Sequence, residues 1–150
     1  MTKHEIKWKR GTFKKFRELT LDAIRLALEY TATGVWGEVR KKAPVDHGRL
    51  AGSFELSQTG DLSWRISSNV KYALMVHEGT GIYGPRATPI VPVRAKRLVF
   101  FWKKTGKMMY LPSVEGMKGR PYIDWAIKEV EPRVSEFAQR AIRETMKNET

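Results

Sequence analysis

A chain of 150 residues with 41% hydrophobic side chains has the length of one ordinary domain and enough apolar material for a packed core. It contains no cysteine, which excludes disulfide scaffolds and thiolate metal or redox centres. Its 28 Lys and Arg against 16 Asp and Glu leave a formal net charge of +12, a surplus that points to a polyanionic neighbour: nucleic acid, anionic lipid or an acidic protein surface.

Part of that charge is local to the N-terminus, where Lys3, Lys7, Lys9, Arg10, Lys14, Lys15 and Arg17 face only Glu5. The stretch has no apolar h-region and no small-residue cleavage site, so it does not read as a secretory signal. No run approaches the roughly 18 apolar residues of a membrane span, and a soluble chain is expected. A basic arm over residues 1–12, a single domain over 13–146 and a short tail over 147–150 are the expected divisions. The arm reads equally as a solvated extension and as a contact element.

From residue 13 to residue 39, apolar side chains recur at helical spacing through Phe16, Leu19, Ala23, Ala27, Tyr30 and Gly34. The spacing predicts one long helix, loosened near its end by Gly34 and Gly37 and stopped before Pro44. Then the period changes. Ser53-Phe54-Glu55-Leu56-Ser57 and Leu62-Ser63-Trp64-Arg65-Ile66-Ser67 alternate apolar and polar residues around Gly60-Asp61, which predicts a hairpin. Residues 70–77 fit either a third strand or a short helical turn. Residues 79–92, with Pro85, Pro89 and Pro92, read as a loop or an extended edge arm. The runs 98–102 and 107–111 bracket Lys104-Thr105-Gly106 as a second hairpin. After a loop over 114–120, Pro121 opens a C-terminal helix whose apolar side carries Ile123, Ala126, Ile127, Val130, Val134, Phe137, Ala141 and Ile142. Pro132 should kink or divide it. The layout predicts an α+β fold: a long N-terminal helix and a C-terminal helix on one face of a four- to five-stranded, mainly antiparallel sheet, with long loops.

Catalytic patterns are sparse. The three histidines fall in the basic arm (His4), in a turn (His47) and beside an acid (His77), and no Gly-x-Ser-x-Gly elbow occurs. Asp46, His47, His77 and Glu78 form a set that a hard cation would accept, but without His-Glu-x-x-His or Asp-x-Asp spacing. On a strand, His77 and Glu78 would also point to opposite faces, so a metal-dependent nuclease stays a remote alternative. The glycine-rich piece from Gly79 to Pro85 lacks the Gly-Lys-Ser/Thr ending of a nucleotide loop, and no helical pattern follows it. It reads as a flexible loop. Lys7-Trp8-Lys9-Arg10 and Trp102-Lys103-Lys104 interleave cations with aromatics, compatible with non-specific DNA affinity, although strand aromatics such as Trp64 and Trp102 are more often core. No zinc-finger, RNP or helix-turn-helix pattern accompanies them. No catalytic, cofactor-binding or metal-ligating residue is assigned, and an enzyme is not expected.

The densest pattern covers residues 42–53, where Pro44, Asp46, Gly48, Leu50 and Ser53 mark a helix exit, a turn and a strand start. Downstream stand Tyr72-Ala73, Val76 and Glu78-Gly79-Thr80-Gly81, and later Gly119-Arg120-Pro121-Tyr122 leading to Ala126. This order of motifs, over about residues 10–145, resembles the tail-component family of long-tailed phages of the lambdoid type: the gene-ten-product-like minor tail, tail-completion or head–tail joining proteins. The family usually has Thr at the place of His47, Arg at Ala51, a Glu-Phe pair at His77-Glu78 and Phe at Tyr122. The resemblance implies a structural virion protein of the neck or tail, assembled in the host cytoplasm. It would form a ring of about six copies between the portal-side connector and the tail tube. Implied partners are further copies, adjoining neck, tail-terminator or tail-tube proteins and, non-specifically, DNA in the channel, with no membrane and no cofactor. The long loops and a bare strand edge suit such contacts. Expected contact residues are Lys7, Trp8, Lys9 and Arg10 in the arm, Gly79, Thr80, Gly81, Tyr83 and Arg86 in the first loop, and Lys118 and Arg120 in the second.

Overall fold

The computed structural model describes residues 12–45 and 48–148. The chain divides into two compact units, one built from residues 1–38, 54–67 and 126–150, the other from 39–53 and 68–125. In chain order the elements are α1 (Thr12–Lys42), α2 (Arg49–Gly52), β1 (Phe54–Gly60), β2 (Ser63–Ser68), α3 (Ala73–Glu78), β3 (Leu98–Trp102), β4 (Lys107–Leu111), α4 (Tyr122–Val130) and α5 (Val134–Lys147). Short 3-10 turns occupy Gly81–Tyr83 and Glu131–Arg133.

The α+β class holds, but the strands form two separate two-stranded antiparallel sheets, β1–β2 and β3–β4, rather than one sheet of four or five. The cause lies in residues 70–77. Ala73, Leu74, Met75 and Glu78 are strong helix formers, and the run folds as α3 instead of a strand joining the hairpins. Among the described residues the proline-rich segment likewise contributes only isolated bridges, Gly79 to Lys118 and Ile90 to Val114, because each proline removes a ladder donor.

In the first unit, α1 carries the β1–β2 hairpin and α5. The Trp36 indole Nε1–H donates to the Phe54 carbonyl at 2.8 Å, and Arg25 bonds Asp61 through both Nε and a terminal nitrogen, at 2.6 and 2.7 Å. Neither Gly34 nor Gly37 interrupts α1, which runs unbroken to Lys42. Gly34 instead serves close approach: a Cβ there would stand 3.3 Å from the Phe137 ring of α5. Pro132 divides the C-terminal helix as its chemistry demands, through the 3-10 turn between α4 and α5. Among the described residues of this unit, Phe54, Ala126, Val130 and Ala141 are the buried apolar ones.

Tyr30 ties α1 to α5 more specifically. Its hydroxyl donates to the Glu144 carboxylate, which also accepts from the Arg140 guanidinium at 2.8 Å, while that guanidinium lies 4.7 Å over the Tyr30 ring. The Tyr30 hydroxyl and then Arg140 hold the Glu144 carboxyl below its ordinary value of 4.5. A depressed carboxyl contributes stability that is complete above its unfolded pKa and is lost as pH falls through the folded one. Below pH 4.5 the melting temperature of the native chain is therefore expected to fall more steeply than that of Glu144→Gln. Parallel slopes in thermal melts across that range would remove the coupling.

Candidate functional site

In the second unit, α1 ends in a last turn rich in base (Arg40, Lys41, Lys42), which suits the negative end of the helix dipole. Ala43 still donates to Val39 before Pro44 turns the chain, and Gly48 takes φ +71 to start α2. Ser53 then bonds the Leu50 carbonyl and the Ser68 hydroxyl, both at 2.7 Å. Leu50 is buried, as are Val39, Ala43 and Tyr122. The Tyr122 hydroxyl donates to the Ala73 carbonyl at 3.0 Å, its ring receives His77 edge-on at 5.3 Å, and burial pushes the phenol upward. These contacts gather the separate motifs into one place. Pro44, Leu50, Tyr72, Val76, Met117 and Arg120 line a cleft of about 410 Å³.

The two loops expected to make contacts fasten to each other. Thr80 N–H donates to the Met117 carbonyl at 2.8 Å and Ile82 N–H to the Glu115 carbonyl at 2.7 Å. In return, Met117 N–H donates to the Thr80 hydroxyl at 3.0 Å. The piece from Gly79 to Gly84, read from sequence as a flexible loop, is thus pinned along its backbone. Gly79 is buried and bridges Lys118, while Tyr83, Arg86, Lys118 and Arg120 stay exposed. Lys118 lies 5.6 Å over the Tyr83 ring. Lys7, Trp8, Lys9, Arg10 and the turn residue Asp46 lie outside the described residues.

The remaining chemistry is thin. His77 is half-buried on α3, with its Nε2 3.8 Å from Asp124, whereas Glu78 is exposed. The opposite-face expectation for this pair does not apply, because successive helical residues diverge by about 100° rather than by half a turn. Among the described residues no three His, Asp or Glu stand close enough to hold a metal ion, and no helix is long and apolar enough to cross a membrane.

What stands out is the β3–β4 hairpin. Its register pairs Val99 with Tyr110 and Phe101 with Met108 on one face, and Leu98 with Leu111, Phe100 with Met109 and Trp102 with Lys107 on the other. The second face is partly covered. The first is bare: Val99, Phe101, Met108 and Tyr110 are 55%, 59%, 49% and 57% exposed. Trp102, which a strand position would assign to the core, is 44% exposed. Val91 and Val93 in the preceding segment are also exposed. Sequence reasoning missed this face, although a signal existed. Leu98-Val99-Phe100-Phe101-Trp102 does not alternate, so both faces are apolar, and one hairpin has nothing of its own to cover two faces.

Charge is distributed as unevenly. Arg86, Arg94, Lys96, Arg97, Lys103, Lys104 and Lys107 all lie between Glu78 and Glu115, a stretch without a single carboxylate. Across the second unit, fourteen Lys and Arg face only Asp46, Glu78, Glu115 and Asp124, so this unit carries ten of the twelve surplus charges. Set against known proteins, the chain matches no family model, no curated protein and no solved structure.

Proposed function

We propose that the chain is a structural subunit that assembles with copies of itself in the neck or tail of a long-tailed phage, as its motif order suggests. The observation that carries this reading is the uncovered face formed by Val99, Phe101, Met108 and Tyr110. A two-stranded hairpin alone is marginal in water and needs a third strand or a packed element against it. An apolar face rimmed by polar and charged residues is the usual mark of a protein contact. The outer edges of β3 and β4 add unpaired backbone groups, and a head-to-tail contact of this kind closes into a ring when the rotation fits. The motif-lined cleft supports the unit that holds the hairpin and performs no chemistry.

Light scattering after size exclusion, with negative-stain images of the same fractions, tests this. The native chain should give a defined oligomer whose population rises with concentration. Phe101→Ser with Met108→Ser should give a monomer with an unchanged circular dichroism spectrum. A native chain that is monomeric at every concentration, alone and in the presence of tail tubes, would overturn the reading.

A further inference from the structure

We propose that the carboxylate-free segment 79–114 holds the phosphate backbone of double-stranded DNA, through cations clustered at the two ends of the β3–β4 hairpin. The setting of this contact rests on the assembly reading above, whereas the binding itself does not. Arg94, Lys96 and Arg97 stand just before β3, while Lys103 and Lys104 in the turn and Lys107 at the start of β4 form the tip. All six, and Arg86, are exposed, and none forms an ion pair with a described carboxylate.

Cations held close together without partners repel one another, and that repulsion is relieved when a polyanion replaces their counterions. In an assembly of identical copies the repulsion grows, because neighbouring second units each bring ten surplus charges and the first unit is close to neutral. Geometry selects the polyanion. From Arg97 to Lys103 six residue steps at about 3.3 Å each place the two clusters roughly 20 Å apart. That distance spans the major groove, about 12 Å wide, so phosphates on both sides of the groove come within reach of long Lys and Arg side chains. A duplex presents one negative charge per about 1.7 Å of axis, a uniform field that seven unpaired cations match without any fixed register. An acidic protein surface, with interspersed cations of its own, would call for carboxylates within the segment to set alignment, and there are none. The segment holds no Asn, Gln, Asp or Glu, so the pairings that read adenine and cytosine are missing, and the contact is made to the phosphates without sequence preference.

The test is fluorescence anisotropy of a labelled random-sequence duplex titrated with the full chain between about 50 and 200 mM KCl, with polyglutamate as a competing probe. Log affinity should fall steeply with log salt. Lys103→Glu with Lys104→Glu should weaken binding at least tenfold at the low-salt end and flatten the slope by about 2. Charge reversal in the N-terminal arm (Lys7→Glu, Lys9→Glu, Arg10→Glu) should leave most of the slope in place. The proposal is overturned if the tip variant binds like the native chain, if the arm variant alone abolishes binding, or if polyglutamate displaces the duplex from an equally tight site. Light scattering on the same samples keeps the two readings apart. An intact oligomer that ignores DNA removes only this proposal, and a DNA-binding monomer removes only the assembly.

Discussion

Gly81→Ala should prevent stable folding of the second unit. Gly81 sits at φ +66, where an L side chain already costs about 1–2 kcal/mol. A Cβ built there would lie 1.9 Å from the Glu115 carbonyl oxygen and 2.8 Å from the Gly116 Cα. These are backbone atoms, so no rotamer change makes room. Relief requires the two loops to part, with loss of the Thr80–Met117 and Ile82–Glu115 hydrogen bonds at about 1 kcal/mol net each. The sum, about 3–4 kcal/mol, approaches the whole stability of a marginal domain. Gly37→Ala is the matched control. Gly37 lies inside α1 with nothing within 4 Å of an added methyl, and alanine there should stabilise by about 0.5–1 kcal/mol. Urea unfolding of the two variants should move in opposite directions. A Gly81→Ala midpoint equal to the native one would show that the loops are not clasped.

Tyr122→Ala should be nearly as damaging. The residue is 1% exposed, and truncating a large buried aromatic costs about 3–5 kcal/mol, depending on how far the site collapses. Tyr122→Phe separates ring from hydroxyl. It keeps the edge-on contact with His77 but leaves the Ala73 carbonyl without this donor, for about 1–2 kcal/mol. That is a measurable cost, and it identifies what the phenolic oxygen does here. Denaturant midpoints of the two variants, with equal m-values, would confirm the ranking. A Tyr122→Phe loss as large as the alanine loss would mean that the hydroxyl, not the ring, anchors this part of the fold.

Much of the fold was legible because local rules and tertiary structure agree. The period from Phe16 to Gly34 gives α1, Lys104-Thr105-Gly106 gives the second hairpin, and Pro132 gives the break between α4 and α5. The first hairpin turns at Asp61-Leu62, one residue later than Gly60-Asp61 suggests, because Gly60 still belongs to β1. The single sheet was the misreading. Residues 70–77 carry both Val and Tyr, which favour strands, and Ala, Leu and Met, which favour helices, so periodicity alone does not decide between them. The clasp between residues 79–84 and 115–119 was less accessible still. It is made mainly of backbone groups about 36 residues apart, and backbone bonds leave no side-chain pattern. Its trace is the glycine spacing at 79, 81 and 84 against 116 and 119, visible once the close approaches are known. The bare face of the hairpin reads as core from sequence, since Phe101 and Met108 look like interior residues wherever they stand.

The strand Leu98–Trp102 has the makeup of a self-templating segment: a leucine and four β-favouring residues with no charge and no proline. Its guards are the cations at its ends, Lys96 and Arg97 before it and Lys103 and Lys104 after it. Concentrated salt, the routine remedy for stripping nucleic acid from a basic protein, shortens the Debye length to about 3 Å at 1 M and silences those guards. The unassembled chain should therefore keep best at low ionic strength, and the wash that cleans it should also be the one that makes it precipitate.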